Sequence, residues 1–147
     1  MEITKAELKD KQGIKEIAKL LKIDTMSDID FVWNKDDFIE KQINKGEYFI
    51  SKNNNEIVGI MSFRQRQNIM YIETMAIIKE FQNKGIGTQF INFAQKYTKD
   101  NNLNTLRAYT FYQYNTKEFY LKKGFNLLNK PGKYGGQEYH RFEIILN

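Results

Sequence analysis

Cysteine is absent from this 147-residue chain. That one absence excludes disulfides, thiolate zinc sites and a cysteine nucleophile. Long apolar runs are missing too. No window approaches the roughly 18 consecutive apolar residues of a membrane-spanning helix, and the opening MEITKAELKDK has no apolar segment of secretory-signal length. These readings predict a cytoplasmic protein that does not enter a membrane. Proline occurs once, at Pro131, within the polar stretch Asn129–Gln137. No internal repeat and no linker-like stretch divides the chain, so one domain over residues 1–147 is expected.

What is present suffices for a core: 41% of residues are apolar and 14% aromatic, which excludes compositional disorder. The net charge of +5 suits an anionic ligand and also weak nucleic-acid binding, and is too small to separate them. The charge is uneven. Residues 24–40 hold Asp24, Asp28, Asp30, Asp36, Asp37 and Glu40 against the single Lys35. An acidic rim of this kind would draw a cationic partner, and it would equally solvate a helix start.

Periodicity then orders the elements. Glu2–Thr4 makes a short strand. Ile14, Ile17, Ala18 and Leu21 recur at helical spacing after Asp10, a candidate N-cap. A second helix fits Asp36–Asn44 and ends near Gly46. Tyr48–Lys52 and Ile57–Phe63 form a hairpin about Asn53-Asn54-Asn55, and Arg64–Gln67 turns into a third strand, Asn68–Ile78. The pattern changes at Gln82-Asn83-Lys84-Gly85-Ile86-Gly87-Thr88. A helix over Thr88–Asp100 is expected next, with Ile86, Phe90, Phe93, Ala94 and Tyr97 sharing one helical face. Leu103–Thr110 reads as a strand, Thr116–Lys123 as a short helix stopped by Gly124, and Phe125–Leu128 and Tyr139–Leu146 as the last strands, with a loop over Asn129–Gln137. The expected fold is α/β: a single mixed, mostly antiparallel sheet of about seven strands with helices on both faces.

The glycine turn is the strongest local signal. A helix start offers unpaired N–H groups and a partial positive charge, and glycine lets a phosphate approach the backbone. A Walker A loop fails here, because Lys84 precedes the glycines and no lysine follows Gly87. A GxGxxG fingerprint fails at Phe90, and the preceding meander is wrong for it. A third form, Q/R-x-x-G-x-G/A between a strand and a long amphipathic helix, fits Gln82 to Gly87. Through this motif and its lead-in Met75-Ala76-Ile77-Ile78-Lys79-Glu80-Phe81, the sequence resembles the GNAT superfamily of acyl-CoA-dependent N-acetyltransferases. Lys79 departs from the proline usual in that lead-in. A second segment, Asn115 with Phe119-Tyr120 and Gly124-Phe125, resembles the family's downstream motif in a shortened register.

The resemblance implies acetyl-CoA as acyl donor and no metal. It implies that Gln82, Asn83, Lys84, Gly85, Ile86, Gly87 and Thr88 hold the pyrophosphate, with Asn115 a further contact. It also implies that backbone groups of Met75, Ala76 and Ile77 face the thioester, beside strands Asn68–Ile78 and Leu103–Thr110 splayed apart, and that the segment between the first strand and the hairpin meets the acceptor. Asn115 has a second reading, because with Glu118 it forms an N-cap arrangement. Tyr120 is the candidate acid for the departing thiolate, since an ordinary phenol is protonated at neutral pH. With no cysteine for a covalent intermediate, direct attack by the amine is expected, and a base must take its proton. Glu73 is the candidate: strand alternation puts it on one face with Tyr71, Met75 and Ile77, as the only carboxylate there. Phe31 and Trp33 are candidate contacts for an amine, with ring faces suited to a cationic one; Tyr109, with Tyr112 and Tyr114, is placed on the acceptor side, and His140 is read as structural. Two rival classes are an acyl-CoA sensor without transfer and a nucleic-acid-binding module. The latter lacks any basic helix, zinc pattern or RNP-like motif, so no nucleic-acid partner is expected. The family often forms homodimers; the sequence leaves that open.

Overall fold

The computed structural model describes residues 2–147. Met1, the first residue of the expected domain, lies outside them. The chain order is β1 (Ile3–Lys5), α1 (Lys11–Ala18), α2 (Asp36–Asn44), β2 (Tyr48–Asn53), β3 (Glu56–Arg66), β4 (Ile69–Ile77), α3 (Ile86–Asp100), β5 (Thr105–Phe111), α4 (Lys117–Lys122), β6 (Asn126–Leu127), β7 (Gly132–Tyr134) and β8 (Gln137–Ile145). The strands form one eight-stranded sheet in the order β1-β2-β3-β4-β5-β8-β6, with β7 also on β8. Among the described residues only β4 and β5 pair in parallel, joined by the α3 crossover. The expected mixed, mostly antiparallel sheet is therefore found, with one strand more than expected.

The additional strand is β7, in the stretch read from sequence as a loop. Gly135 and Gly136 both take positive φ, +57° and +79°, and make the two-residue turn whose twist matches a hairpin. Pro131 and the polar composition hid that turn. The hairpin register puts Gly132 opposite Tyr139.

The two faces of the sheet bury separate cores. On one, α3 lays Ile86, Phe90, Ile91 and Ala94 against Met61, Phe63, Met70 and Phe142. On the other, α1 and α2 contribute Ile14, Ile17, Ile39 and Ile43 against Tyr48, Ile50 and Ile60. Each large side chain buried this way contributes about 1.5–3 kcal/mol. The helix starts differ in detail from the sequence reading. Asp10 makes no side-chain cap on α1; its Oδ2 accepts the N–H of Glu7 at 2.8 Å and caps the short turn just upstream. The start of α3 moves back to Ile86, directly after Gly85 at φ +87°.

One irregularity decides the geometry of the site. Along β3 and β4, Ser62 pairs with Thr74 and Phe63 with Ile72. Glu73 therefore has no partner, which is a β-bulge on β4. The bulge slips the alternation by one residue. Met70 and Ile72 lie in the core under α3, and beyond the bulge Met75 and Ile77 pack against that same core while Ala76 faces the opposite one. The expected common face for Tyr71, Glu73, Met75 and Ile77 is corrected accordingly: the first two lie before the slip, the last two after it.

Candidate active site

Pairing between β4 and β5 runs only from Ile69–Thr105 to Ile72–Ala108, although both strands continue, β4 to Ile77 and β5 to Phe111. Past the bulge the two strands part and leave a wedge. The Ile78 N–H donates to the Val58 carbonyl. The two-residue period of an antiparallel ladder then turns Ala76 toward β3, and the N–H and C=O of Met75 and Ile77 toward the wedge. The Ile77 carbonyl is occupied there, accepting from Gln82 Nε2 at 2.9 Å. The wedge is thus a place of unpaired N–H donors, the sort of group that stabilises a developing oxyanion.

Two cavities meet at this wedge. The larger, about 820 Å³, is lined by Ala76, Ile77, Gln82, Asn83, Gly85, Gly87, Thr88, Asn115, Phe119, Lys122 and Lys123 among others. The smaller, about 330 Å³, is lined by Trp33, Arg64, Tyr71, Glu73, Tyr109, Tyr134 and Tyr139 among others. Both are bounded by Leu21, Met75, Thr110, Tyr114 and Tyr120. Tyr114 also braces the junction, donating its hydroxyl to the Leu21 carbonyl at 2.6 Å.

The wall of the larger cavity is the start of α3. The first intrahelical bond runs from Gln89 N–H to the Gly85 carbonyl. That leaves the N–H groups of Ile86, Gly87 and Thr88 without helical acceptors, and no described side chain caps them. Asn83 (φ +61°) and Gly85 (φ +87°) hold the loop in the left-handed region. Gly87 has another reason to lack a side chain: a Cβ there would lie 3.2 Å from ring atoms of Phe119. The glycine turn and the Phe119-Tyr120 segment are thus packed against one another, which brings the two sequence motifs into one site. A free helix start of this form is suited to a diphosphate.

Individual residues depart from their sequence assignments. The Lys84 ammonium sits 5.4 Å over the ring of Phe81, outside the cavity lining. Lys122, the last residue of α4, and Lys123 just after it line it instead; the sequence signal was the paired lysine directly after Phe119-Tyr120-Leu121. Ile86 points its side chain into the core and can offer only its backbone. Asn115 does not cap α4, whose N-cap is Thr116. It adopts φ +57°, closes the short turn Tyr112–Tyr114 with its N–H on the Tyr112 carbonyl, and lines the larger cavity. Thr116 is held by a 2.7 Å hydroxyl contact with Thr110.

Tyr120 stands at the junction of the cavities, 5% exposed, its ring stacked on Phe142 at 5.1 Å and edge-on to Phe119 and Phe125. Burial pushes its pKa well above the ordinary tyrosine value, so it stays a proton donor. Glu73, at the bulge, is paired with Arg64 at 3.4 Å; the sequence reading saw the carboxylate and missed the guanidinium. Of the proposed acceptor residues, Trp33 and Tyr109 line the smaller cavity, while Phe31 lies in neither lining. It is 2% exposed and supports Trp33 from behind, edge to face at 5.5 Å. Tyr112 is turned away and packs on His140 at 4.2 Å, which gives that histidine a structural role. Burial opposes ionisation of the Tyr109 phenol, but hydrogen bonds from Arg141, Arg107 and Tyr71 outweigh it and lower its pKa.

The stretch 24–40 lends Val32, Trp33 and Phe38 to the smaller cavity, but none of its six carboxylates is in the lining. Asp36 pairs with Lys15 at 2.6 Å, Glu40 with Lys11 at 2.8 Å and Asp28 with Lys22 at 3.5 Å. Three of its six carboxylates are thus in ion pairs, with Asp36 and Glu40 joining α2 to α1. Among the described residues no group of three His, Asp or Glu is placed to hold a metal, and no helix is long and apolar enough to cross a membrane.

Tyr139 is fixed by its neighbours. Its ring lies over Gly132, where a Cβ would come within 2.1 Å, and stacks on Tyr109 at 5.3 Å. Gly132→Val is expected to destabilise the fold by about 1–3 kcal/mol, the usual cost of forcing a packed ring aside. Chemical denaturation checks this; an unchanged midpoint would mean that the ring moves freely.

A splayed parallel strand pair, a β-bulge beside it and an uncapped helix start facing the opening together define an acyl-CoA N-acyltransferase fold. The model of the acetyltransferase (GNAT) family matches residues 14–125, and the chain belongs to that family. A comparison with curated proteins gives no match. Solved structures share the fold at low identity. The protein smu.2055 from Streptococcus mutans is 17% identical with a TM-score of 0.80 and full coverage of both chains. N-acetylglutamate synthase from Neisseria gonorrhoeae, complexed with coenzyme A and N-acetyl-glutamate, is 16% identical with a TM-score of 0.83; the match covers 99% of this chain and 35% of that one. Ribosomal-protein-alanine N-acetyltransferase from Brucella melitensis is 13% identical with a TM-score of 0.77, over 99% and 100% of the two chains.

Proposed function

We propose that this chain, as a single domain, transfers an acetyl group from acetyl-CoA to a primary amine by direct attack. The observation that supports this reading most is the meeting of two cavities at Tyr120. The larger suits CoA, with its pyrophosphate on the N–H groups of Ile86, Gly87 and Thr88, its charge countered by Lys122 and Lys123, and Asn115 in contact. The smaller suits the amine.

In the reaction the amine nitrogen forms a bond to the thioester carbonyl carbon and the C–S bond breaks. Negative charge developing on the carbonyl oxygen falls beside the free N–H groups of the wedge, Met75 first. The thiolate takes the Tyr120 proton, and the amine's proton passes to Glu73, directly or through a water. Nearby Arg64 holds the Glu73 carboxylate in place.

A release assay for free CoA thiol, run with a panel of amines, tests the reading. The wild type is expected to release thiol only when an amine is present. Glu73→Gln is expected to lower kcat/KM on the order of 100-fold at neutral pH, the low end of acid–base effects. The deficit should shrink toward pH 9.5, where more of the amine arrives deprotonated. CoA binding without thiol release under any amine would leave an acyl-CoA sensor as the reading. A deficit independent of pH would remove Glu73 as the base.

A further inference from the structure

The walls of the smaller cavity identify its amine more narrowly, given the acetyl-transfer reading above on which this inference rests. Six rings follow one another around it, each in contact with the next. Tyr71 meets Tyr109 edge-on at 5.4 Å, and Tyr109 stacks on Tyr139 at 5.3 Å. Tyr139 meets Phe111 at 5.9 Å, Phe111 meets Trp33 at 6.0 Å, and Trp33 meets Tyr134 at 5.8 Å, all edge to face. A continuous belt of this kind presents ring faces and edges to whatever it encloses. At about 330 Å³ it is at the small end of ligand pockets, with room for one ring system on a short arm.

Charge narrows the choice further. The only charged side chains in the lining are Arg64 and Glu73, which pair with each other. A polyamine would bring a second ammonium into an aromatic wall with no carboxylate to meet it, a large desolvation cost. An amino-acid acceptor would bring a second carboxylate beside Glu73 into a lining whose one guanidinium, Arg64, already balances Glu73; Arg107 is tied to Glu143 at 2.7 Å and lies outside the lining. A single ammonium, by contrast, meets the second oxygen of Glu73, Oε2, since the Arg64 contact is to Oε1, and the ring faces of the belt.

Shape counts against an extended peptide. The β7–β8 hairpin crosses over residues 24–34: Tyr134 donates its hydroxyl to the Asp30 carbonyl at 2.7 Å, and Gly135 packs so closely on Met26 and Asp30 that a Cβ would lie 3.1–3.2 Å from them. These contacts pin the hairpin that carries Tyr134 and Tyr139 to the segment leading into Trp33, and so obstruct an extended chain on that side of the cavity.

We infer that the acceptor is a small primary arylalkylamine, its ring enclosed by the aromatic belt and its nitrogen directed past Glu73 toward Tyr120.

Trp33 is the sole tryptophan of the chain and part of the belt, so its fluorescence reports occupancy. Phenethylamine, hexylamine, spermidine and glutamate are titrated into the CoA-saturated protein, and thiol release from acetyl-CoA is measured with each. Phenethylamine is expected to change Trp33 emission saturably. Its kcat/KM should exceed those of spermidine and glutamate at least tenfold, and exceed that of hexylamine. Trp33→Leu is expected to raise KM for phenethylamine about tenfold while the CoA titration and the circular dichroism spectrum stay as in the wild type. The wild-type panel stands independently if that variant does not fold. Spermidine, glutamate or hexylamine as the preferred acceptor, with CoA binding intact, would overturn the arylalkylamine and leave acetyl transfer standing. Absence of CoA binding would overturn acetyl transfer itself, and the inference with it. Saturable phenethylamine binding without thiol release would support the belt as the amine's site and overturn transfer.

Discussion

Tyr120→Phe is expected to lower kcat by on the order of 10²–10³-fold, the typical contribution of a positioned acid or base, with little change in KM for acetyl-CoA. The leaving thiolate loses its proton donor, while the ring that shapes the junction of the cavities remains. The fold should tolerate the change. Among the described residues the Tyr120 hydroxyl has no protein hydrogen-bond partner, and the ring's contacts with Phe119, Phe125 and Phe142 survive. The loss of stability is then below about 1 kcal/mol. The sign of the pH dependence follows from burial. A phenol whose pKa is raised stays protonated past the pH at which an ordinary tyrosine ionises, so the wild type should hold its rate through pH 10. Steady-state kinetics with a thermal melt separates the outcomes: unchanged kcat in a folded variant would leave Tyr120 a core aromatic.

Gly85→Asp is expected to raise the dissociation constant for CoA on the order of 100-fold and leave the fold nearly as stable. Open space surrounds the position a Cβ would take. The φ of +87° costs an aspartate about 1 kcal/mol. A carboxylate at a helix start returns about 0.3–1 kcal/mol through the dipole. Facing a pyrophosphate at about 5 Å, the same carboxylate is repelled by about 3 kcal/mol at a surface-like dielectric constant. The substitution therefore distinguishes a glycine that merely starts a helix from one beside a bound anion. Calorimetric titration with CoA reads the affinity, and the melting temperature reads the fold. Equal affinities would remove the pyrophosphate from this loop.

How much was legible beforehand differs by kind of feature. Gln82–Thr88 and Phe119-Tyr120 were visible because turn chemistry and helical spacing are local. The helix faces of α1 and α3 and the span of α2 followed for the same reason. The bulge at Glu73 was not visible, because it is a mismatch between the registers of β3 and β4, and strict alternation along β4 reads equally well without it. The partners of the acidic segment were hidden likewise: Lys11 and Lys15 meet Asp36 and Glu40 only after α1 packs beside α2. Lys122 and Lys123 replaced Lys84 beside the larger cavity because the loop carries Lys84 sideways onto Phe81. Gly135-Gly136 was in plain view as a hairpin turn and lost to the surrounding polar loop composition. The aromatic belt was the least legible feature, since its rings come from residues 33, 71, 109, 111, 134 and 139, far apart in sequence.

The proposed site depends on one arrangement: the start of α3 would hold the diphosphate of CoA and so set where the thioester lies relative to Tyr120. A crystal structure of the protein with bound CoA tests it directly. The pyrophosphate oxygens should accept hydrogen bonds of about 2.7–3.2 Å from the N–H groups of Ile86, Gly87 and Thr88, with the thiol in the wedge near Tyr120. Phosphates bound elsewhere on the surface, or no density for CoA at millimolar concentration, would contradict the account.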